Sequence, residues 1–265
     1  MNNKSKNINK EKPLISKEGF YLWDSKIAAL VFRIITLGFS IFGISIMFSF
    51  YGIGKQLVYF TNQTNLFILI LFSILTIGQI VDLIIKKKKG HPFNIFMPLQ
   101  LALVFYISIT FLVYWTMLSW QGFEMGGDNP SLKVLMQFAN YTVHGIVPLL
   151  AILDWILFSK HGVIKYRYGF IWLSYIYVYL IFILIRAQVG GPLSTKPTIS
   201  YYPYPFIDLD AIGPLYFTLV VIGLSLGFLG LGLLFIFLDK LIAKRIALRK
   251  IKIKEINVVE NKIEE

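Results

Sequence analysis

The sequence predicts an all-α fold, a polytopic membrane bundle of six transmembrane helices with both termini cytoplasmic. Of the 265 residues, 56% are hydrophobic and only 15% are charged, against roughly 25% charged in soluble domains. The mean hydropathy of +0.67 exceeds what a water-soluble core requires. The charges also fall in short blocks between apolar runs of about 20 residues or more, the length that crosses a bilayer. The bilayer is therefore the solvent in which the chain is read, and a multi-pass cell-membrane location is expected.

Six runs qualify, at approximately Lys26 to Gly52, Val58 to Ile85, Phe93 to Leu118, Leu132 to Phe158, Tyr168 to Val189 and Ile212 to Leu238. Orientation follows from the Lys and Arg residues near the spans. One set of connections holds Lys4, Lys6, Lys10, Lys12, Lys17 and Lys26, then Lys86 to Lys89, then Lys160, Lys165 and Arg167, and last the eight basic residues from Lys240 to Lys262. The other set holds Lys55 and Lys196, with Lys133 and Arg186 at its margins. The tails and even-numbered loops are therefore expected inside. The domain plan is a cytoplasmic basic tail over 1–25, a six-helix domain over 26–239, and a cytoplasmic basic amphipathic tail over 240–265. That last segment alternates Lys/Arg with Ile and Leu, a pattern suited to lying on the inner leaflet.

The net charge of +12 has its source in these membrane-edge clusters, so no nucleic acid partner is expected. Membrane lipids are the expected partners, and the oligomeric state is left open. Cysteine is absent, which removes disulfides, thiolate nucleophiles and Cys-based metal sites. No metal and no cofactor is implied. Met1 to Asp24 lacks the apolar core of a signal peptide. Three spans end inside on an Asp followed by lysine, as Asp82 before Lys86, Asp154 before Lys160 and Asp239 before Lys240. Local pairing is the plain reading, and a proton relay through Asp82 or Asp154 is the functional one.

Function is sought where polar groups interrupt a span, because an unpaired one in hydrocarbon costs several kcal/mol. The second span opens with Tyr59-Phe60-Thr61-Asn62-Gln63-Thr64-Asn65, and Thr61, Thr64 and Asn65 share a helix face. Interhelical hydrogen bonding, at about 0.6 kcal/mol per contact, is the structural alternative. In the fourth span Gln137, Asn140, Tyr141 and His144 form one polar stripe. Pro148 cannot donate to the His144 carbonyl, so a kink is expected at the histidine. A neutral imidazole there can accept a proton, although a lone histidine is more often structural. His91 and His161 sit in basic loops and are expected to face solvent or headgroups.

At about 1.5 Å rise per residue, Thr61 and His144 lie roughly 5 Å and 18 Å below their helix starts, a difference that kinking or tilt must close. The last outer loop, Gly190 to Pro214, carries Tyr201-Tyr202-Pro203-Tyr204-Pro205-Phe206-Ile207-Asp208. It reads either as an aromatic belt or as a lid over a lipid-entry cleft, with Arg186 near its start available for a carboxylate or phosphate.

Three segments, Tyr59-Phe60-Thr61 with Asn65-Leu66, His144 with Pro148, and Tyr204-Pro205-Phe206-Ile207 with Ile212-Gly213-Pro214, together resemble the androgen-induced and androgen-dependent tissue-factor-pathway regulator family and its bacterial six-helix relatives. The animal members are intramembrane threonine hydrolases that cleave fatty acid esters of hydroxy fatty acids. The resemblance implies Thr61 as nucleophile and His144 as base. Asn65 follows Thr61 by four positions where three are expected, which leaves Thr64 as the competing nucleophile.

The resulting expectation is a Thr/His hydrolase of lipid esters, with Thr64, Asn65, Asn140, Arg186 and Tyr204 in the substrate site and Asn65 or Asn140 donating to the oxyanion. The alternative is a non-enzymatic transporter or lipid-binding membrane protein that uses the same polar pocket, or a scaffolding protein.

Overall fold

A computed structural model describes residues 19–87, 90–121, 129–194 and 199–264. Most of the N-terminal tail, Lys88, Lys89 and Lys196 lie outside the described residues, as do the side chains from 262 onward. The architecture is all-α. Six helices are long and apolar enough to cross a membrane: Lys26–Tyr51, Phe60–Lys86, Met97–Leu118, Pro130–Phe158, Arg167–Val189, and a last one whose apolar part begins at Leu209. They are named the first to sixth spans. Among the described residues the only β-pairing is two isolated bridges, Phe20 with His161 and Ser194 with Ser200.

Local chemistry sets the helix ends. Ser25 accepts from the Ala28 N–H at 3.3 Å and caps the first span. Gly52, at φ 79°, ends it in a conformation that costs a side-chain-bearing residue more. The fourth span starts two residues earlier than its apolar run, because Asn129 caps it through the Ser131 and Leu132 N–H groups and Pro130 takes the first turn. The third span starts later, at Met97, with Pro98 in its first turn.

The sixth helix differs most from expectation. It runs from Leu209 to Glu264, broken only at Gly213 (φ 74°), with Pro214 following. Nothing interrupts it at Asp239-Lys240, so the basic tail continues the sixth span as one helix. Lys, Arg, Ile and Leu all tolerate a helix interior, and no Gly or Pro follows Leu238 to stop it.

An even number of spans puts both chain ends at one end of the bundle, here the terminal end, with the distal end opposite. The third span is central, with 61% of its most apolar window buried, and the sixth is peripheral at 17%. The main core gathers Leu101, Phe105, Trp155, Trp172, Ile183 and Ile236 from the third to sixth spans. A second cluster of Ile68, Leu71, Phe72, Leu75, Ile107, Val147 and Ala151 joins the second, third and fourth. The first and fourth spans approach closely where Gly43 meets the fourth. A Cβ on Gly43 would lie 2.7 Å from Val143 Cγ1, so a larger residue there would push the two helices apart.

The terminal half carries buried charge that the apolar-run reading passed over. Arg33, in mid-span and fully buried, donates through Nε to Asp154 at 2.9 Å and through an Nη to the Phe93 carbonyl at 2.7 Å. Asp154 therefore pairs across the bundle rather than with Lys160. Asp82 does meet Lys86, at 2.9 Å, and also the buried Lys26. Asp239 pairs with His161, not Lys240: His161 Nδ1 lies 2.9 Å from its carboxylate, and the Gly162 N–H donates to the other oxygen at 2.9 Å. Here the expectation of a solvated His161 is corrected, since its side chain is 0% exposed. Both ring nitrogens are engaged, the second at the Ile156 carbonyl. His91 is more than half exposed, as expected.

Candidate functional site

The fourth span explains why its histidine is presented as it is. Over Thr142–Ile146 the helix widens into a π turn, and the Val147 N–H reaches back five residues to Thr142. Pro148 has no N–H to give, which leaves the Val143 and His144 carbonyls without their usual helical donors. Side chains from neighbouring spans take both. Asn65 Nδ2 donates to the Val143 carbonyl at 3.0 Å, and Trp115 Nε1 donates to the His144 carbonyl at 3.1 Å. The kink expected from Pro148 thus takes the form of a π turn, a feature that recurs at functional sites.

The imidazole is fixed in two directions. His144 Nδ1 lies 2.9 Å from the Asn140 carbonyl. A carbonyl can only accept, so Nδ1 carries the hydrogen, and in the neutral ring Nε2 keeps its lone pair. The ring face stacks on Tyr114, with centroids 3.8 Å apart and 21° between planes. Tyr114 itself begins a second π turn, Tyr114–Leu118, in the third span. Its hydroxyl accepts from Asn140 Nδ2 at 2.5 Å. Nε2 has no hydrogen-bond partner among the described residues.

Thr61 stands in the first turn of the second span, where the leading N–H groups have no helical acceptor. Tyr59 supplies no side-chain cap. Two tyrosines serve instead: the Phe60 N–H donates to the Tyr179 hydroxyl at 3.1 Å, and the Thr61 N–H to the Tyr204 hydroxyl at 3.4 Å. Tyr179 in turn donates to the Val58 carbonyl at 2.9 Å. Tyr204 lies in the loop that precedes the sixth span. Burial holds this loop phenol above its ordinary value, so it keeps its hydrogen.

These groups meet in one cavity of about 620 Å³ at the distal end. Its wall includes Thr61, Tyr114, Asn140, His144, Arg186 and Tyr204, together with Lys55, Gln56, Asn62 and the loop residues Gly191, Pro192 and Pro203. A smaller apolar slot of about 90 Å³ lies on the other side of Thr61, walled by Ile109, Val113, Ile176, Leu180, Val221, Leu224 and Phe228 among others. Thr61, Tyr114, Leu118 and Tyr204 line both spaces. The threonine therefore stands where a polar chamber meets an apolar slot.

Thr61 and His144 share that chamber even though their helix-start depths differ. The second span does not begin at the rim: its first turn is already buried, with Phe60, Thr61 and Asn62 each 8% exposed or less. The short helix Ile53–Gln56 and the distal loop stand above it, and the Asn62 amide is tied back to Gln56.

Thr64 and Asn65 are not part of the wall. Thr64 is fully buried and its hydroxyl is engaged by the Thr61 carbonyl at 3.0 Å and the Thr110 hydroxyl at 2.8 Å. Asn65 spends Nδ2 on the Thr61 carbonyl, at 2.9 Å, as well as on Val143, which leaves no amide hydrogen for a ligand. The polar stripe of the fourth span also divides. Asn140 and His144 turn to the chamber, and Gln137 and Tyr141 are exposed on the outside.

Arg186 Nη atoms donate to the Tyr201 and Gly191 carbonyls at 2.9 and 2.6 Å. Among the described residues neither Arg186 nor Lys55 pairs with a carboxylate, and no Asp or Glu lines the chamber. Sequence reasoning had not singled out Tyr179, Tyr114, Lys55 or Gln56. Only Lys55, as a lone cation on the sparsely charged side, had a signal to find. Among the described residues no group of three or more His, Asp or Glu side chains could hold a metal ion.

The fold and site define a class, a multi-pass membrane protein with a mixed polar and apolar cavity at one end. Compared with protein-family models, curated proteins and solved structures, the chain matches none.

Proposed function

We propose that this protein is a cell-membrane hydrolase of lipid esters, with its termini in the cytoplasm and its cavity in the outer half of the bilayer. The observation that carries the proposal is the position of Thr61, at the junction of the apolar slot with a chamber that also holds the free Nε2 of His144. The acyl chain of an ester would lie in the slot and its carbonyl at Thr61. The likeness of the three short motifs to the androgen-induced family points the same way. The closed hydrogen bonds of Thr64 favour Thr61 as nucleophile.

In the reaction Thr61 Oγ attacks the ester carbonyl as its proton passes to His144 Nε2. The tetrahedral intermediate collapses, the C–O bond to the alcohol breaks, and His144 returns the proton to the leaving oxygen. Water, deprotonated by the same imidazole, then cleaves the threonyl ester and releases a fatty acid. Asn140 Nδ2 has one hydrogen beyond that given to Tyr114 and can donate to the oxyanion. Arg186 and Lys55 would hold an anionic end of the substrate.

The test is fluorophosphonate labelling and hydrolysis of a fluorogenic acyl ester by purified protein. Thr61→Ala and His144→Ala are each expected to reduce turnover at least about a thousandfold. Labelling that survives Thr61→Ala overturns the mechanism. The cations facing the chamber without a carboxylate also favour a second reading, an anionic-lipid carrier without chemistry. Copurified lipid that exchanges but is never cleaved would establish it. A transporter that needs Asp82 or Asp154 has less support, because both carboxylates are bound in pairs and line neither space.

A further inference from the structure

The sixth span is attached to the bundle over only part of its length. From Gly232 to Ala247 it is docked, with Gly232, Phe235, Ile236, Asp239, Ala243, Ile246 and Ala247 buried. At that crossing Gly169 and Gly232 let the fifth and sixth spans approach closely: a Cβ on Gly169 would lie 3.1 Å from Leu233, and one on Gly232 3.7 Å from Gly169. Toward the distal end the contact thins to partly buried side chains, among them Phe217, Phe228 and Leu231, that pack against the main core. No residue from Leu209 to Leu231 is buried. A Cβ on Gly223, Gly227 or Gly230 would meet nothing within 4 Å.

The two helices therefore diverge from that crossing, and the space between their distal halves is the apolar slot. Ile176, Tyr177 and Leu180 wall it on one side, and Val221, Leu224 and Phe228 on the other. Phe60, Thr61 and Tyr204 stand at its inner end. Tyr177 is 41% exposed, so the slot reaches the lipid-facing surface of the bundle.

We infer that this cleft is a lateral portal through which one acyl chain of a membrane lipid reaches Thr61 directly from the hydrocarbon layer. The occupant follows from the walls and the two ends. The slot is lined mostly by apolar side chains, and the Thr110 and Ser225 hydroxyls on it are already bonded to Thr64 and to the Val221 carbonyl, which disfavours a polar ligand. Its inner end adjoins a chamber that holds two cations and, among the described residues, no carboxylate, so the site is matched to an amphiphile with an apolar tail and a polar or anionic head. At about 25 cal/mol per Å², tail burial alone offers little over the surrounding lipid. Selection must come from the head in the chamber, and the portal sets the route. The route leads to the hydrolytic site proposed above, but occupancy of the portal does not depend on that chemistry.

Two measurements test the portal. A fatty acid with a diazirine near its tail end is photolysed on the Thr61→Ala protein in lipid nanodiscs, where no turnover occurs. Labelling within 176–180 and 221–228, relative to the lipid-facing residues of the first span, is expected to exceed unity at least about threefold. It should fall to unity in Ser225→Trp, whose indole fills the slot, and in Leu180→Trp from the facing helix. Leu226→Trp, on the exposed side of the same turn, should leave it unchanged. Even labelling around the bundle, or labelling indifferent to both plugging variants, overturns the portal.

The second measurement compares palmitoyl and butyryl esters as substrates. Ser225→Trp and Leu180→Trp are expected to lower kcat/KM for the palmitoyl ester at least about tenfold, while the butyryl ester, able to enter through the chamber, changes less than about twofold. An equal loss on both esters counts against the portal. If wild-type protein cleaves neither ester, the hydrolase reading falls and the labelling alone decides the portal.

Discussion

The two ends of this bundle use similar polar residues in opposite ways. In the terminal half Arg33 meets Asp154, Lys26 and Lys86 meet Asp82, and His161 meets Asp239. In the distal half His144 keeps Nε2 free, and Arg186 and Lys55 face a cavity with no carboxylate in its wall among the described residues. Burial alone does not separate the two histidines, since His161 is the more buried. What separates them is whether every hydrogen-bonding atom is taken. A satisfied polar group inside a bundle rigidifies it, and an unsatisfied one beside a cavity has capacity left for a ligand.

The sharpest way to break this comparison is at Arg33. Arg33→Met leaves the Asp154 carboxylate unpaired in the interior and should cost about 3–5 kcal/mol, read as a fall in thermal stability in detergent. Arg33→Met with Asp154→Leu should recover most of it. A single variant as stable as wild type would show that the ion pair does not hold the terminal half. Next in size is His161→Gln, expected to cost about 1–3 kcal/mol because Asp239 loses a buried partner. His91→Gln, at an exposed site, should stay within about 0.5 kcal/mol.

At the distal end the expectation is reversed, with chemistry changing more than stability. Pro148→Ala restores a donor to the fourth span and lets the π turn relax, which shifts the His144 ring against Tyr114. A loss of about tenfold or more in ester turnover is expected, with thermal stability equal or higher. Unchanged turnover would separate the π turn from function. The smallest effect should be at Gln137→Ala, within about 0.5 kcal/mol and with turnover unaltered, because this member of the polar stripe points away from the chamber.

The spans were legible because about 20 apolar residues in a row have few other uses, and the π turn was foreshadowed by Pro148. The partners of the charges were not. Asp154 beside Lys160 and Asp239 beside Lys240 look paired in one dimension, yet their partners come from the first span and from the loop before the fifth. Arg33 itself was visible as a lone charge in an apolar run, the kind of residue that hydrocarbon makes expensive, but attention to loop charges passed over it. Spacing placed Thr61, Thr64 and Asn65 on one face correctly. It could not show that Thr110 and the Val143 carbonyl occupy the space opposite two of the three. The tyrosines that cap the second span come from about 120 and 143 residues away, beyond any local pattern.

The docked stretch of the last helix, Gly232 to Ala247, acts as a clamp on a rod, and the arm beyond it stands as a cantilever. That arm is hydrogen-bonded near its tip, where Asp208 accepts from the Ala211 N–H and from Ser200. It carries Gly223, Gly227 and Gly230, residues that lower helix stiffness. Widening the gap beside it loosens only the partly buried contacts that Phe217, Phe228 and Leu231 make with the main core. The molecule can thus breathe on one flank at the expense of bending a single beam, while the rest of the scaffold stays still.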